Sequence, residues 1–119
     1  MSPDPQRVAR AGSGAPPVPG CCAHYHEAVE LIGRRWTGAI LAVLIDHGPL
    51  RFGELRDAVP GVSDRLLSER VKELEARGVV DRAVEPGPPI SVRYDVTPMG
   101  RELAPALARL GEWARAWLA

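Results

Sequence analysis

PGVSDRLLSERVKELEARGVV, residues 60–80, is the stretch on which the fold turns. Ser63 is a strong N-cap residue, and Leu67, Val71 and Leu74 recur at the i, i+4, i+7 spacing of one helical face. Asp64, Arg65, Ser68, Glu69 and Lys72 fall on the opposite side, short or charged groups with no reason to be buried. Gly78 is placed to end the helix in the left-handed region, and Val79-Val80 opens a β-branched run at once. A helix of this kind suits the surface of any small domain. What precedes it is more specific. FGELRDAV, residues 52–59, predicts a short helix, and Pro60-Gly61 predicts a tight turn between the two. This is the helix-turn-helix layout, in which the second helix is free to enter a DNA major groove.

Working outward, the period changes to two after Val79. VVDRAVE and ISVRYDV flank Pro86-Gly87-Pro88-Pro89, and Ile90, Val92, Tyr94 and Val96 alternate with Ser91, Arg93 and Asp95. The pattern predicts a half-buried hairpin. A hairpin directly after a recognition helix is a wing, and Arg82 and Arg93 are its available side chains for a minor groove or phosphates. Equally, they could serve only to solubilise the sheet. Thr97 then caps a last helix with Pro98 at its first position. Leu103, Leu107, Leu110, Ala114 and Trp117 repeat at intervals of four and three, Ala106 and Trp113 widen the stripe, and Pro105 removes one backbone donor near the start.

Upstream, Ala28, Leu31 and Ile32 mark one side of a short helix ended by Gly33. WTGAILAVLIDHG follows, with Trp36, Ile40, Val43 and Leu44 on one face and Ala39, Leu41 and Ile45 widening it nearly all round. Such a helix belongs in the centre of the core. Gly48-Pro49 stops it. Leu50-Arg51 is too short for an independent strand but long enough to add a rung to a sheet edge. Residues 1–20, rich in Pro, Gly, Ser and Ala, have little to bury and are expected to form a disordered arm. Residues 21–119 then make one domain. Since the helix from Trp36 already supplies the core, the stripe of Leu107, Leu110, Trp113 and Trp117 is surplus to it and reads as a partner face.

Composition narrows the function classes. No apolar run approaches a membrane span and the N-terminus lacks a signal-peptide core, so a cytoplasmic protein without membrane partners is expected. Fifteen basic residues balance fifteen acidic ones. Charge alone therefore does not suggest nucleic acid, and DNA affinity requires the basic groups to be segregated on one face. A winged helix that binds protein and not DNA is the alternative this neutrality supports. No Gly-rich phosphate loop, nucleophile elbow or paired ligand motif is present, and His47 stands alone before a helix stop. An enzyme is not expected, nor a cofactor. Cys21-Cys22-Ala23-His24-Tyr25-His26 is the one cluster with chemical potential. Two Cys and two His there are too crowded for one tetrahedral zinc site, so no metal is expected.

The order of elements resembles the HxlR-type winged-helix transcriptional regulators of bacteria. The matching stretches are ELIGRRWTGAIL (30–41), GPLRFGELRDAVPGVSDRLLSERVKELEARGVV (48–80) and VRYDVTPMGRELAPAL (92–107). The resemblance implies a mainly α fold with a small antiparallel hairpin, a winged helix-turn-helix without a separate ligand domain. It implies a homodimer built through the first and last helices, with Leu31 added to the stripe above. Two recognition helices would then lie about one turn of double-stranded DNA apart, on a pseudo-palindromic operator. The recognition face would be Ser63, Asp64, Arg65, Ser68, Glu69 and Lys72, with Arg51 on the DNA backbone. Asp64 and Glu69 depart from the uncharged amides common among relatives, and carboxylates accept from a cytosine amino group but repel phosphates. Several such regulators sense oxidants or electrophiles through a cysteine just before the first helix, the place Cys22 matches. A thiol at a helix N-terminus ionises more readily, and Cys22 is either such a sensor or a packing residue. Nothing in the sequence identifies a small-molecule effector.

Overall fold

The computed structural model describes residues 21–119, with side chains from Ala23 onward. The expected arm, and the side chains of Cys21 and Cys22, lie outside what is described. The chain divides into two compact units, one ending at Leu31 and one spanning Ile32–Ala119. Helix α1 (Cys21–Ile32), which belongs to the first unit in all but its last residue, contains the Cys21-Cys22 pair in its first turn. His26 and Glu30 approach to 3.9 Å along its exposed side, and Leu31 near its end is half-buried.

The second unit runs α2 (Thr37–His47), β1 (Leu50–Arg51), α3 (Phe52–Ala58), α4 (Asp64–Ala76), β2 (Val80–Glu85), β3 (Ser91–Val96), α5 (Pro98–Arg101) and α6 (Ala104–Trp117). It is mainly helical, with a three-stranded antiparallel sheet in the order β1-β3-β2. The Leu50-Arg51 rung thus joins the sheet through β3, and Leu50 pairs with Tyr94. The core is formed by Ile40, Leu41 and Leu44 of α2, Leu55 and Val59 around α3, Leu67, Val71 and Leu74 of α4, and Val79, Val80 and Val96 at the sheet base. These apolar side chains supply the main driving force for folding. No helix among the described residues is long and apolar enough to cross a membrane.

Local chemistry sets the element ends. The Ser63 hydroxyl accepts from the Leu66 N–H at 3.1 Å, one of the first-turn donors a helix leaves unpaired. At the other end Val79 N–H donates to the Leu74 carbonyl and Gly78 N–H to that of Glu75, with Gly78 at φ 77°. This pair of bonds is a Schellman motif, and Leu74 and Val79 both sink into the core beside it. Thr97 caps α5 by accepting from the Gly100 N–H, while its own hydroxyl donates to the Gly78 carbonyl at 2.6 Å. That bond ties the end of α4 to the start of the C-terminal segment.

Three expectations change. Trp36 is not on the face of α2 but precedes it, in the left-handed region at φ 79°. A non-glycine residue there is strained, and it is held by packing: the Arg35 guanidinium lies 4.9 Å over the ring. The far edge of the indole lies 3.2 Å from where a Cβ on Gly61 would stand, and Gly61 itself has φ 96°. The α3–α4 turn therefore needs glycine for its backbone and for the space the indole fills.

The C-terminal helix is two helices and not one. A continuous helix would place Pro105 in its interior, without a donor for the Arg101 carbonyl and with a ring clash, so the chain breaks after α5 and restarts with Pro105 in the first turn of α6. The hairpin, finally, is covered only at its base. Val96 is 7% exposed, whereas Ile90 on the same face near the tip is 73% exposed, because the helices pack against only one end of the sheet.

Candidate nucleic-acid interface

Helix α3, the Val59–Ser63 turn and α4 present an outer surface whose polar side chains are mostly paired with each other. Asp64, in the first turn of α4, accepts from Arg56 of α3 through both oxygens at 3.3 and 3.5 Å. Its hydrogen bond and charge, with the charge of Asp57, raise the Arg56 pKa above the ordinary arginine value. Arg65 donates to Glu69 one turn along at 3.1 Å, yet its side chain remains 87% exposed. Ser68 is half-buried. Lys72 is exposed, with no ion pair found among the described residues. Ser63, Asp64, Arg65, Ser68, Glu69 and Lys72 thus share the uncovered side of α4, as their spacing predicts. The pairing explains how the two carboxylates are tolerated there: each neutralises an arginine of the same surface. Exposed pairs of this kind contribute little to stability.

Arg70 behaves differently. It is one of the basic residues of the neutral charge balance, but its side chain is 9% exposed and faces inward. Its Nε donates to the Arg35 carbonyl at 3.0 Å and its Nη1 to Glu73 at 3.2 Å. Glu73 also lies 3.6 Å from Arg34. The cluster anchors the strained Arg35-Trp36 junction to α4 and offers no charge to a phosphate. Its signal was in the spacing, since position 70 lies between Leu67 and Leu74 on the apolar stripe. Arg56 is the other residue that sequence reasoning missed at this surface. Only the tertiary turn brings it to Asp64, eight positions on.

The wing arginines lie on opposite faces. In the register of the sheet Arg82 pairs with Tyr94 and shares the face of Val80 and Val96, whereas Arg93 pairs with Ala83 and with Arg51 on the outer face. Arg82 reaches back to Glu75 of α4 at 4.0 Å, and Arg93 donates to Glu85 at 3.0 Å.

On α6 no residue is buried. The single predicted stripe resolves into two. Leu103, Leu107, Gly111 and Ala114 are half-buried, while Leu110, Trp113 and Trp117 are exposed at 58, 53 and 75%. Between α2 and α6 runs a groove of about 500 Å³, lined by Ala42, Ile45 and Asp46 on one side and by Ala104, Leu107, Ala108, Gly111, Glu112 and Arg115 on the other. Among the described residues no group of His, Cys, Asp and Glu is placed to hold a metal ion.

The family model of the HxlR-like helix-turn-helix matches residues 31–119. The chain belongs to this family. Two regulators of Bacillus subtilis (strain 168) are similar to this HxlR-like chain over most of their length. YvaP, an HTH-type transcriptional regulator, is 41% identical over 97 residues, which span 82% of this chain and 89% of YvaP. The HTH-type transcriptional regulator YodB is 40% identical over 93 residues, 78% of this chain and 82% of YodB. The reduced form of YodB superposes with a TM-score of 0.71 at 39% identity, covering 77% of this chain and 89% of that one. Its quinone-bound form gives 0.71 at 36%, covering 81% and 100%. The redox regulator HypR in its reduced form gives 0.72 at 35% identity, covering 77% and 90%. YvaP and YodB are HTH-type transcriptional regulators, and this chain is a transcriptional regulator of the same helix-turn-helix type.

Proposed function

We propose that this HxlR-like chain is a cytoplasmic, sequence-specific DNA-binding regulator that acts as a homodimer on a pseudo-palindromic operator. The carrying observation is α4: capped at both ends, packed by one stripe on the core, and uncovered along Ser63, Asp64, Arg65, Ser68, Glu69 and Lys72. A helix so held can enter the major groove without disturbing the core. Arg65 and Lys72 read bases or phosphates, Arg51 and Arg93 meet the backbone beside it, and Arg82, tied to α4, supports the wing. Family membership and the regulators it resembles support the same reading. The double variant Arg65→Ala/Lys72→Ala is expected to weaken operator binding, by about 1–3 kcal/mol for each residue that reads a base and less for a phosphate contact. Retardation of DNA flanking the protein's own gene measures this. Equal retardation of wild type and double variant would sink the assignment.

Regulation by oxidants or electrophiles is proposed to enter through Cys22. HypR is described as a redox regulator and YodB is known in a quinone-bound form, and Cys22 lies in the first turn of α1, where the helix dipole favours a thiolate. A mild oxidant or a quinone is expected to release the wild-type protein from DNA and to leave Cys22→Ser bound, with Cys21→Ser as the neighbour control. Equal release of wild type and Cys22→Ser, or of neither, makes Cys22 a packing residue.

A further inference from the structure

Arg51 and Arg93 stand directly opposite each other on β1 and β3, and cross-strand partners project from the same side of a sheet. Two like charges so placed repel unless a third group compensates. Glu85 is that group. It lies at the end of β2 on the same outer face, two positions from Ala83, the other cross-strand partner of Arg93. Its Oε1 accepts from the Arg93 Nε at 3.0 Å and from the Ser91 hydroxyl at 3.0 Å. The hydrogen bonds from Arg93 and Ser91, with the charges of Arg93 and then Arg51, hold the Glu85 carboxyl below the usual carboxylate value, so it is a full anion at neutral pH.

The carboxylate is also the outer member of the pair. The Glu85 side chain is 56% exposed against 30% for Arg93. It stands beside the Pro86–Pro89 tip of the wing, beyond the part of the hairpin that the core covers. An approaching solute meets the carboxylate before the guanidinium. Arg93 holds the carboxylate by contact and Arg51 adds its charge from the neighbouring strand, and this resident anion is a monoanion with two acceptor oxygens. A phosphodiester presents the same charge and the same two kinds of oxygen to an arginine.

We propose that Glu85 is a built-in stand-in for a DNA backbone phosphate, occupying Arg93 beside Arg51 in the free protein and displaced by a phosphodiester when duplex binds. The inference rests on the DNA-binding reading and adds a residue that opposes it. Each binding event exchanges one internal ion pair for one external one, which lowers the sequence-independent part of the affinity.

The test is binding of a short duplex of arbitrary sequence, followed by fluorescence anisotropy over a range of salt concentrations, for wild type, Glu85→Gln, Arg93→Ala and the double variant. Glu85→Gln keeps the side-chain size and removes the competing charge. It is expected to bind roughly 3–10-fold tighter near physiological salt, with the slope of log K against log salt steeper by about 0.9, as for one further phosphate contact. The gain is expected to vanish in the Arg93→Ala background. In free protein, inorganic phosphate is expected to shift the Arg93 Nε–H resonance of Glu85→Gln at concentrations that leave wild type unchanged. Duplex binding in which Glu85→Gln matches wild type in affinity and slope overturns the inference and leaves DNA binding standing. A gain that persists undiminished without Arg93 also overturns it, since general charge removal then suffices. No duplex binding by any of the four proteins overturns the DNA reading itself, and this inference with it.

Discussion

The double variant Leu110→Glu/Trp113→Glu is expected to sediment as a monomer and to lose operator binding altogether, with the recognition helix untouched. Leu110, Trp113 and Trp117 form an apolar surface at i, i+3, i+7 on a helix that buries none of its residues in its own unit. Covering one Trp side chain contributes a few kcal/mol at ~25 cal/mol per Å². A second copy of the chain can cover both surfaces in one isologous contact, which also presents two recognition helices to one side of the DNA. The contribution of a single short helix is too small for discrimination against a genome, so solubility and specificity make the same demand. Because neither side chain is part of the core, the monomer should keep its helical circular dichroism, and the loss of retardation then reports the missing partner and not unfolding. A wild-type protein that sediments as a monomer at micromolar concentration and still binds its operator tightly would show this expectation to be wrong.

Leu67→Ala is expected to act on the other side of α4, through folding. Leu67 is fully buried, next to Val71 and Leu74 on the stripe that holds α4 to the core. Truncation removes the transfer free energy of the lost carbons and leaves a cavity, together about 2–5 kcal/mol. Chemical denaturation at fixed protein concentration should show the unfolding free energy falling by that amount and the midpoint moving to lower denaturant, since a dimer's apparent stability depends on concentration. The folded fraction should retain its DNA affinity, in contrast to Arg65→Ala/Lys72→Ala, which should keep the midpoint and lose the affinity. A Leu67→Ala midpoint equal to that of wild type would mean that α4 is not held by this stripe.

What could be read from the chain directly was whatever depends on near neighbours in sequence. Ser63 caps the residue three places on, Gly78 closes a motif spanning six residues, and Thr97-Pro98 starts a helix by hydrogen bonding within its own turn. The period of 3.6 in α4 and the period of two in β2 and β3 are likewise local, so element type, the helix-turn-helix and the wing were all legible. So was the uncovered side of α4. The tertiary structure alone decided which charges cancel and which apolar residues stay uncovered, because both depend on atoms brought together from distant positions. Arg56 finds Asp64 only through the Gly61 turn, and Arg70 is drawn inward by a carbonyl thirty-five residues away. Arg82 and Arg93 look equivalent in sequence and are parted by a strand register that sets them on opposite faces. The stripe on the last helix is continuous as a pattern. It divides in space because α2 approaches only one side of α6, leaving Leu110, Trp113 and Trp117 uncovered.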